Sequence, residues 1–245
     1  MIYSNLVAGK FLARPNRFIA HVELEGQPVV CHVKNTGRCR ELLRPGATVY
    51  LQDFGPSPTG RKTRYDLIAV EKVRVDGSKL LINMDAQAPN QVFAEWARSG
   101  RFLPNLTLLR PETKWGSSRF DFYYETTQGQ CGFVEVKGVT LEEDGIAAFP
   151  DAPTERGIKH LHELAHAAQA GYTAHICFII QMSGMRQFCP NERTHPAFGA
   201  ALRQAVQSGV QAFALECAVT SGTLSALHSI PCSLYALDAF LPNSG

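Results

Sequence analysis

The chain changes pattern once, near residue 85, and that change limits the possible folds more than any other feature. Before it, segments 6–12, 18–24, 29–33, 48–52, 65–73 and 80–82 are short and rich in Val, Ile, Phe and Tyr. Turn chemistry separates them at Gly26, at Arg44-Pro45-Gly46, in the 55–60 run and at Asp76-Gly77. Five or six short strands in a stretch of this size predict a small closed barrel, for which an OB-fold and an SH3-like barrel both fit. After residue 85, helix and strand signals alternate. A helix is expected over 90–99, with Val92, Phe93 and Trp96 at helical spacing, Asn90 as its N-cap and Gly100 as its stop. Strands follow at 107–110, 118–125 and 132–138, then a helix over 154–170 capped by Thr154, a strand at 175–182, a helix over 195–208 and one or two late strands. The expected class is α/β (α+β): a barrel over 1–85 and a mixed-sheet domain over 86–245. The 245 residues suffice for two modest cores.

Composition removes several function classes. No apolar run reaches the length that spans a bilayer, and the opening MIYSNLVAGKF lacks the features of a secretory signal, so a cytoplasmic protein with no membrane partner is expected. The seven cysteines are odd in number, scattered and never spaced as C-x-x-C, which argues for reduced thiols rather than a disulfide framework or zinc ribbon. Charge is unevenly divided. Residues 1–85 carry 13 Lys/Arg against 8 Asp/Glu, a net +5, and residues 86–245 carry 11 against 14, a net −3. A basic half suits a polyanion and an acidic half suits a cation, although solvated faces distribute charge in the same way.

The chemistry-bearing stretch runs from Arg119-Phe120-Asp121-Phe122-Tyr123-Tyr124 through a polar turn to Gly132-Phe133-Val134-Glu135-Val136-Lys137. Strand alternation points Glu135 and Lys137 one way and Val134 and Val136 the other. If the two strands form a hairpin centred near Gln128, facing residues sum to 256, which sets Asp121 opposite Glu135 and Arg119 opposite Lys137. Two carboxylates at cross-strand distance repel unless a proton or cation lies between them, and hard oxygen ligands favour Mg²⁺ or Mn²⁺. Such an ion polarises a phosphate oxygen, with a neighbouring lysine to orient water or stabilise the developing charge. A surface hairpin with a polar solvated face gives the same pattern. Glu112 is a further acid for the same ion, or an ordinary exposed one.

His162-Glu163-Leu164-Ala165-His166 matches the H-E-x-x-H zinc-protease pattern. Gln169 and Tyr172 occupy the positions where the longer form requires Gly and a third His. The expected apolar stripe of Ile158, Leu161, Leu164, Ala165 and Ala168 places both histidines at the flank, so coincidence is the preferred explanation. Arg156, Lys159 and His160 in the first turns of that helix are candidates to meet phosphate, helped by the helix dipole, with ordinary solvated helix charges as the alternative. In the barrel, Lys10, Arg14, Arg17, Lys34, Arg38, Arg40, Arg44, Arg61, Lys62 and Arg64 are candidate phosphate contacts. Phe11, Phe18 and Tyr50 are candidate stacking groups, with a core role the preferred reading of each. The Asn35-Thr36-Gly37-Arg38 turn is a candidate phosphate cradle or a plain structural turn.

These blocks together resemble the sugar fermentation stimulation protein A family. They comprise Asn35-Thr36-Gly37 with Pro45-Gly46; Glu112, Lys114 and Gly116; Ser118 to Phe122; Phe133 to Lys137 with Val139-Thr140-Leu141; and Phe149-Pro150-Asp151-Ala152 on through Thr154-Glu155-Arg156-Gly157, Lys159-His160-Leu161 and Glu163-Leu164. The resemblance implies an OB-fold followed by a restriction-endonuclease-like domain of the PD-(D/E)xK superfamily, binding DNA without marked sequence preference. Carried over, Asp121, Glu135 and Lys137 occupy the nuclease triad with Glu112 as accessory acid, and Asp121, Glu135 and the Val136 backbone carbonyl are the implied metal set. Lys10, Arg14, Arg17, Lys34, Arg38, Arg40, Arg119, Arg156 and Lys159 form the expected nucleic-acid-binding set. Phe120 stands where the superfamily label has proline. Gln181 falls where some superfamily nucleases use glutamine. The implied activity is Mg²⁺- or Mn²⁺-dependent phosphodiester hydrolysis on DNA, with RNA open as substrate and oligomeric state open, a homodimer included. The alternative is a non-catalytic DNA-binding regulator linked to sugar (maltose-type) metabolism.

Overall fold

The computed structural model describes residues 1–35, 37–56 and 60–242. It divides into two compact units: Met1–Ala88 with Gln181–Ser183 and Cys217–Ser225, and the remainder. The expected turns at 35–38 and 55–60 lie partly outside the described residues.

In the first unit six strands follow the predicted segments: β1 (Leu6–Asn16), β2 (Ile19–Leu24), β3 (Gln27–Val33), β4 (Thr48–Asp53), β5 (Tyr65–Val73) and β6 (Lys79–Asn83). β1 pairs antiparallel with both β2 and β4, β4 pairs antiparallel with β5, and β3 pairs parallel with β5. The ring β1-β2-β3-β5-β4 therefore closes, and its connectivity is that of an OB-type barrel; β6 extends the sheet from β5. Alternation directs the core: Ala20 and Val22 of β2 point inward while His21 and Glu23 point out. Phe11, Val49, Leu51, Leu67 and Ile82 are almost fully buried, each contributing roughly 1.5–3 kcal/mol of transfer free energy. Gly9 is required where β1 crosses β2, since a Cβ there would lie 2.6 Å from Val22, 2.7 Å from Leu24 and 2.8 Å from the Glu23 carbonyl.

A buried polar knot completes this unit. Asp85, fully buried, accepts from Lys34 Nζ at 2.5 Å and from the Tyr3 hydroxyl at 3.2 Å. The Gln181 amide donates to Asn83 Oδ1 at 2.9 Å and to the Asp85 carbonyl at 3.0 Å. Gln181 thus satisfies backbone and side-chain acceptors within the first unit. A buried amide takes whichever carbonyls its position offers.

The second unit contains α1 (Ala88–Arg98), β7 (Leu106–Trp115), β8 (Ser118–Thr126), β9 (Cys131–Val139), β10 (Leu141–Glu143), β11 (Ile146–Phe149), α2 (Glu155–Gln169), β12 (Thr173–Ile180), β13 (Gln187–Pro190), α3 (Pro196–Gln207), β14 (Gln211–Val219) and β15 (Leu224–Ile230). The main sheet has the order β15-β14-β12-β9-β8-β7. β7, β8 and β9 form an antiparallel meander, and β9, β12 and β14 run parallel, as helical crossovers demand. β7 is longer than predicted because it lies at the sheet edge, where Pro111 removes no needed donor and Glu112 adopts a left-handed φ of 54°. A second, three-stranded sheet β10-β11-β13 was absent from the sequence reading; its strands are only three or four residues long. The aromatic rings of Phe93, Trp96, Phe102, Phe122, Tyr124 and Phe213 pack together with His175. All seven cysteines are free, and no helix among the described residues is long and apolar enough to cross a membrane.

Candidate metal centre in the second unit

The hairpin register is the one the sequence predicts: Phe122 pairs with Val134, Tyr123 with Phe133, Tyr124 with Gly132 and Glu125 with Cys131, every pair summing to 256. The last paired residues of the ladder are Phe122 and Val134. Beyond them the Asp121 side chain takes the place of the backbone, its Oδ2 accepting the Val136 N–H at 2.7 Å. Asp121 is held on its other oxygen by Asn90, whose Nδ2 donates to Oδ1 at 2.8 Å. Asn90 is therefore not the helix cap. α1 starts two residues earlier, which puts Asn90 in its first turn with its amide free to reach Asp121. Arg119 is not brought opposite Lys137. It pairs with Lys114 across β7 and forms an ion pair with Glu112 at 2.8 Å.

Glu135 is 2% exposed on the central strand β9. Lys137, two residues on along the strand, sets its Nζ 2.5 Å from Glu135 Oε1. The same oxygen meets Nδ1 of His160, a buried residue of α2. Glu135 Oε2 is buried without a hydrogen-bond partner. Burial pushes the Asp121 carboxyl up to about 6, helped by the Glu135 charge and opposed by the Val136 N–H, Asn90 and Lys137. Burial pushes Glu135 up as well, but the His160 hydrogen bond and the Lys137 and His160 charges outweigh it and hold that carboxyl below its ordinary value. A buried and a half-buried carboxylate that feel each other, the buried one with an orphaned oxygen, fit a hard divalent cation. Among the described residues no three His, Cys, Asp or Glu side chains gather as a cage. The fit is accordingly to a two-carboxylate site that leaves coordination positions for backbone, water or substrate.

His160 is the main departure from the sequence reading. It was a candidate to meet phosphate beside Arg156 and Lys159, and the apolar stripe was expected to include Ile158. The buried face of α2 instead comprises Gly157, His160, Leu161, Leu164, Ala165 and Ala167. Helical spacing from Leu164 and Leu161 back to Gly157 passes through 160, which is the signal that could have found it. Thr154 caps the helix as predicted, accepting the Gly157 N–H at 3.0 Å. His162 and His166 are exposed on α2, and Glu163 accepts from Ser117 Oγ at 2.9 Å, so no zinc-protease arrangement forms. Glu112 and Arg119 are 55% and 60% exposed, and no bond among the described residues joins Glu112 to Asp121 or Glu135.

The basic residues separate into two kinds. Arg14 donates to four carbonyls, those of Asn35, Gly37, Arg38 and Arg17, at 2.6–2.8 Å. Lys34 is bound to Asp85, Arg61 to Asp66 and Arg64 to Asp53. These four hold the barrel together, contrary to a primary phosphate role, because a donor surrounded by internal acceptors has no reason to seek another. Lys10, though exposed, donates to Thr48 Oγ1 at 3.0 Å; Arg17, Arg38, Arg40, Arg44 and Lys62 are exposed. In the second unit Arg156 and Lys159 are exposed at the start of α2, where Lys159 also reaches the Ser117 carbonyl at 3.5 Å. Phe11 is core, Tyr50 is tied to Glu71 at 2.9 Å, and Phe18 alone of the three candidate stacking rings is half exposed.

A closed OB-type barrel, followed by a mixed-sheet domain whose antiparallel meander carries a buried and a half-buried carboxylate and a lysine, defines a two-domain class of protein. The sugar fermentation stimulation protein RE domain matches residues 87–223, and the SfsA N-terminal OB domain matches residues 12–79. The chain belongs to the sugar fermentation stimulation protein (SfsA) family. It is 56% identical over 228 residues to the sugar fermentation stimulation protein homolog of Desulfitobacterium hafniense (strain Y51), covering 92% of this chain and 95% of that one. It is 50% identical over 225 residues to the homolog of Clostridium beijerinckii, covering 92% and 96%. A solved structure described as Pyrococcus furiosus SfsA in complex with Ca²⁺ superposes with a TM-score of 0.82 at 29% identity, covering 95% of this chain and 98% of that one.

Proposed function

We propose that the chain is a nucleic-acid-binding protein, with DNA as its first candidate partner, and that its second unit hydrolyses phosphodiester bonds with Mg²⁺ or Mn²⁺. The observation that carries this reading is the pairing of Asp121 with the buried Glu135, whose Oε2 is left without a partner. The Ca²⁺ named with the Pyrococcus furiosus relative supports a divalent cation in this family. Asp121, Glu135 and the Val136 carbonyl would hold the ion. A bound Mg²⁺ or Mn²⁺ supplies a Lewis acid for a phosphate oxygen and lowers the pKa of its water.

The chain's own groups do the rest. Asn90 and the Val136 N–H fix the Asp121 carboxylate from both oxygens. Lys137, held against Glu135, orients the attacking water and stabilises the charge that develops on phosphorus. The exposed Arg156 and Lys159, with Arg119 once it releases Glu112, meet the phosphates on either side, and Lys10, Arg17, Arg38 and Arg40 bind backbone through the barrel. A buried charge pair that serves no ion costs stability, which favours catalysis over a vestigial site.

The test is incubation of the full chain with labelled single- and double-stranded DNA and RNA in Mg²⁺, Mn²⁺ or EDTA, beside Glu135→Ala. The expected outcome is metal-dependent cleavage that falls about a thousandfold in the variant, several kcal/mol of transition-state stabilisation. Equal inertness with equal binding would leave a non-catalytic DNA-binding protein.

A further inference from the structure

Seven polar or charged side chains project from α2 over the stretch from Glu155 to His166, and among them only His160 is buried, at 6% exposed. Both of its ring nitrogens are engaged. Nδ1 lies against Glu135 Oε1, and Nε2 faces Nε of Arg156 at 3.4 Å. The arginine Nε–H can only donate, so Nε2 is the acceptor and carries no proton. The close approach of Nδ1 to a carboxylate oxygen requires a proton between them, because two lone pairs at that range repel. Nδ1 is therefore the donor to Glu135.

Lys137 Nζ reaches the same Oε1 at 2.5 Å and lies 3.4 Å from His160 Nδ1. Two donors converge on one oxygen of Glu135 while the other, Oε2, is buried and unpartnered. We infer that His160 is a positioning residue for the metal centre: its Nδ1–H saturates Glu135 Oε1 together with Lys137, fixes the carboxylate plane, and leaves Oε2 as the oxygen presented to a divalent cation. This rests on the metal-site reading above. Groups that hold a ligand from behind in this way fix its orientation and raise its affinity for the ion. Without His160 the carboxylate keeps a single donor and is free to turn towards Lys137, which occupies both oxygens in succession and competes with the cation.

The experiment titrates the full chain with Mn²⁺ alone by calorimetry, with no nucleic acid present, for wild type, His160→Leu and His160→Asn. Both substitutions remove the imidazole, so they differ from each other only in the hydrogen bond they can offer Glu135. The Asn amide offers an N–H close to the position of Nδ1, so it restores the hydrogen bond, whereas Leu fills the space without it. His160→Leu is expected to weaken Mn²⁺ binding about 10–100-fold, and His160→Asn to recover most of that loss. Nitrogen-15 spectra of the wild type, with His160 protonated on Nδ1, provide a second readout that needs no variant. Equal Mn²⁺ affinity for wild type and His160→Leu, no recovery in a folded His160→Asn, or an Nδ1 without its proton would each overturn the inference. A wild type that binds no Mn²⁺ would remove the metal site and the inference with it. Mn²⁺ binding that depends on His160, in a protein that cleaves no nucleic acid, would overturn the nuclease reading and leave the positioning role intact.

Discussion

Carboxylates withdrawn from water are handled differently in the barrel and in the Asp121–Glu135 pair of the second unit. In the barrel each has a cation of its own: Asp85 has Lys34, and Asp66 has Arg61, with the partly buried Asp53 matched to Arg64. In the second unit Asp121 and Glu135 share one lysine, Asp121 is pushed up to about 6, and an oxygen of Glu135 has no partner. Folding accounts fully for the first arrangement and not for the second. Charge that the fold leaves unbalanced marks the place where a ligand completes the balance.

The comparison breaks most readily by removing one carboxylate from each unit. Asp85→Ala leaves Lys34 facing a buried vacancy and is expected to cost about 3–5 kcal/mol. Asp121→Asn keeps an oxygen for the Val136 N–H and removes the repulsion with Glu135, so metal-free stability is expected to change by less than about 1 kcal/mol. Urea unfolding at neutral pH measures both. Equal losses would mean that the Asp121–Glu135 pair is as structural as the Lys34–Asp85 bond.

A sharper form of the contrast uses a group buried without any charge. His175 is 4% exposed beside Phe102, Tyr124 and Phe213, and burial pushes its pKa down to about 4. The unfolded chain takes up that proton near pH 6.5, before the folded one does. Stability therefore falls as pH drops from 6.5 to 4, by about 3 kcal/mol, and levels off below. Asp53 behaves differently, since the Arg64 hydrogen bonds hold it below its ordinary value and its contribution is lost only as pH falls through that lowered value. In His175→Phe the slope between pH 6.5 and 4 should flatten, whatever the stability at pH 7. An unchanged slope would assign the acid sensitivity to carboxylates alone.

Much of this was legible in the residues, and the gaps have a common cause. Hydrophobic alternation and turn chemistry located the barrel strands, and the hairpin centre near Gln128 gave the register that juxtaposes Asp121 and the 134–136 segment. Periodicity says which way a side chain points; it does not say what it meets. Asn90 has the right chemistry for a cap and the structure uses it for Asp121, while His160 sits among basic residues and turns inward to Glu135. Arg14 and Lys34 look like phosphate ligands until their carbonyl and carboxylate partners, distant in sequence or contributed by loops, are seen. β10, β11 and β13 are too short for any period to register.

That last distinction, between arginines that bind the fold and arginines that bind a partner, yields the smallest effect and the finest test. Arg17 is exposed, whereas Arg14, three residues away, donates to four carbonyls. A phosphate-contacting cation releases about one counterion, so Arg17→Ala should lower the slope of log affinity against log salt on double-stranded DNA by about 0.9 and leave stability within about 0.5 kcal/mol. Arg14→Lys keeps the charge but loses the planar fork, so it should cost roughly 1–3 kcal/mol in stability and leave the salt slope unchanged. If both substitutions shifted the slope alike, internal hydrogen bonding would not be what selects the DNA-contacting residues, and the division drawn between the barrel's two kinds of cation would fail.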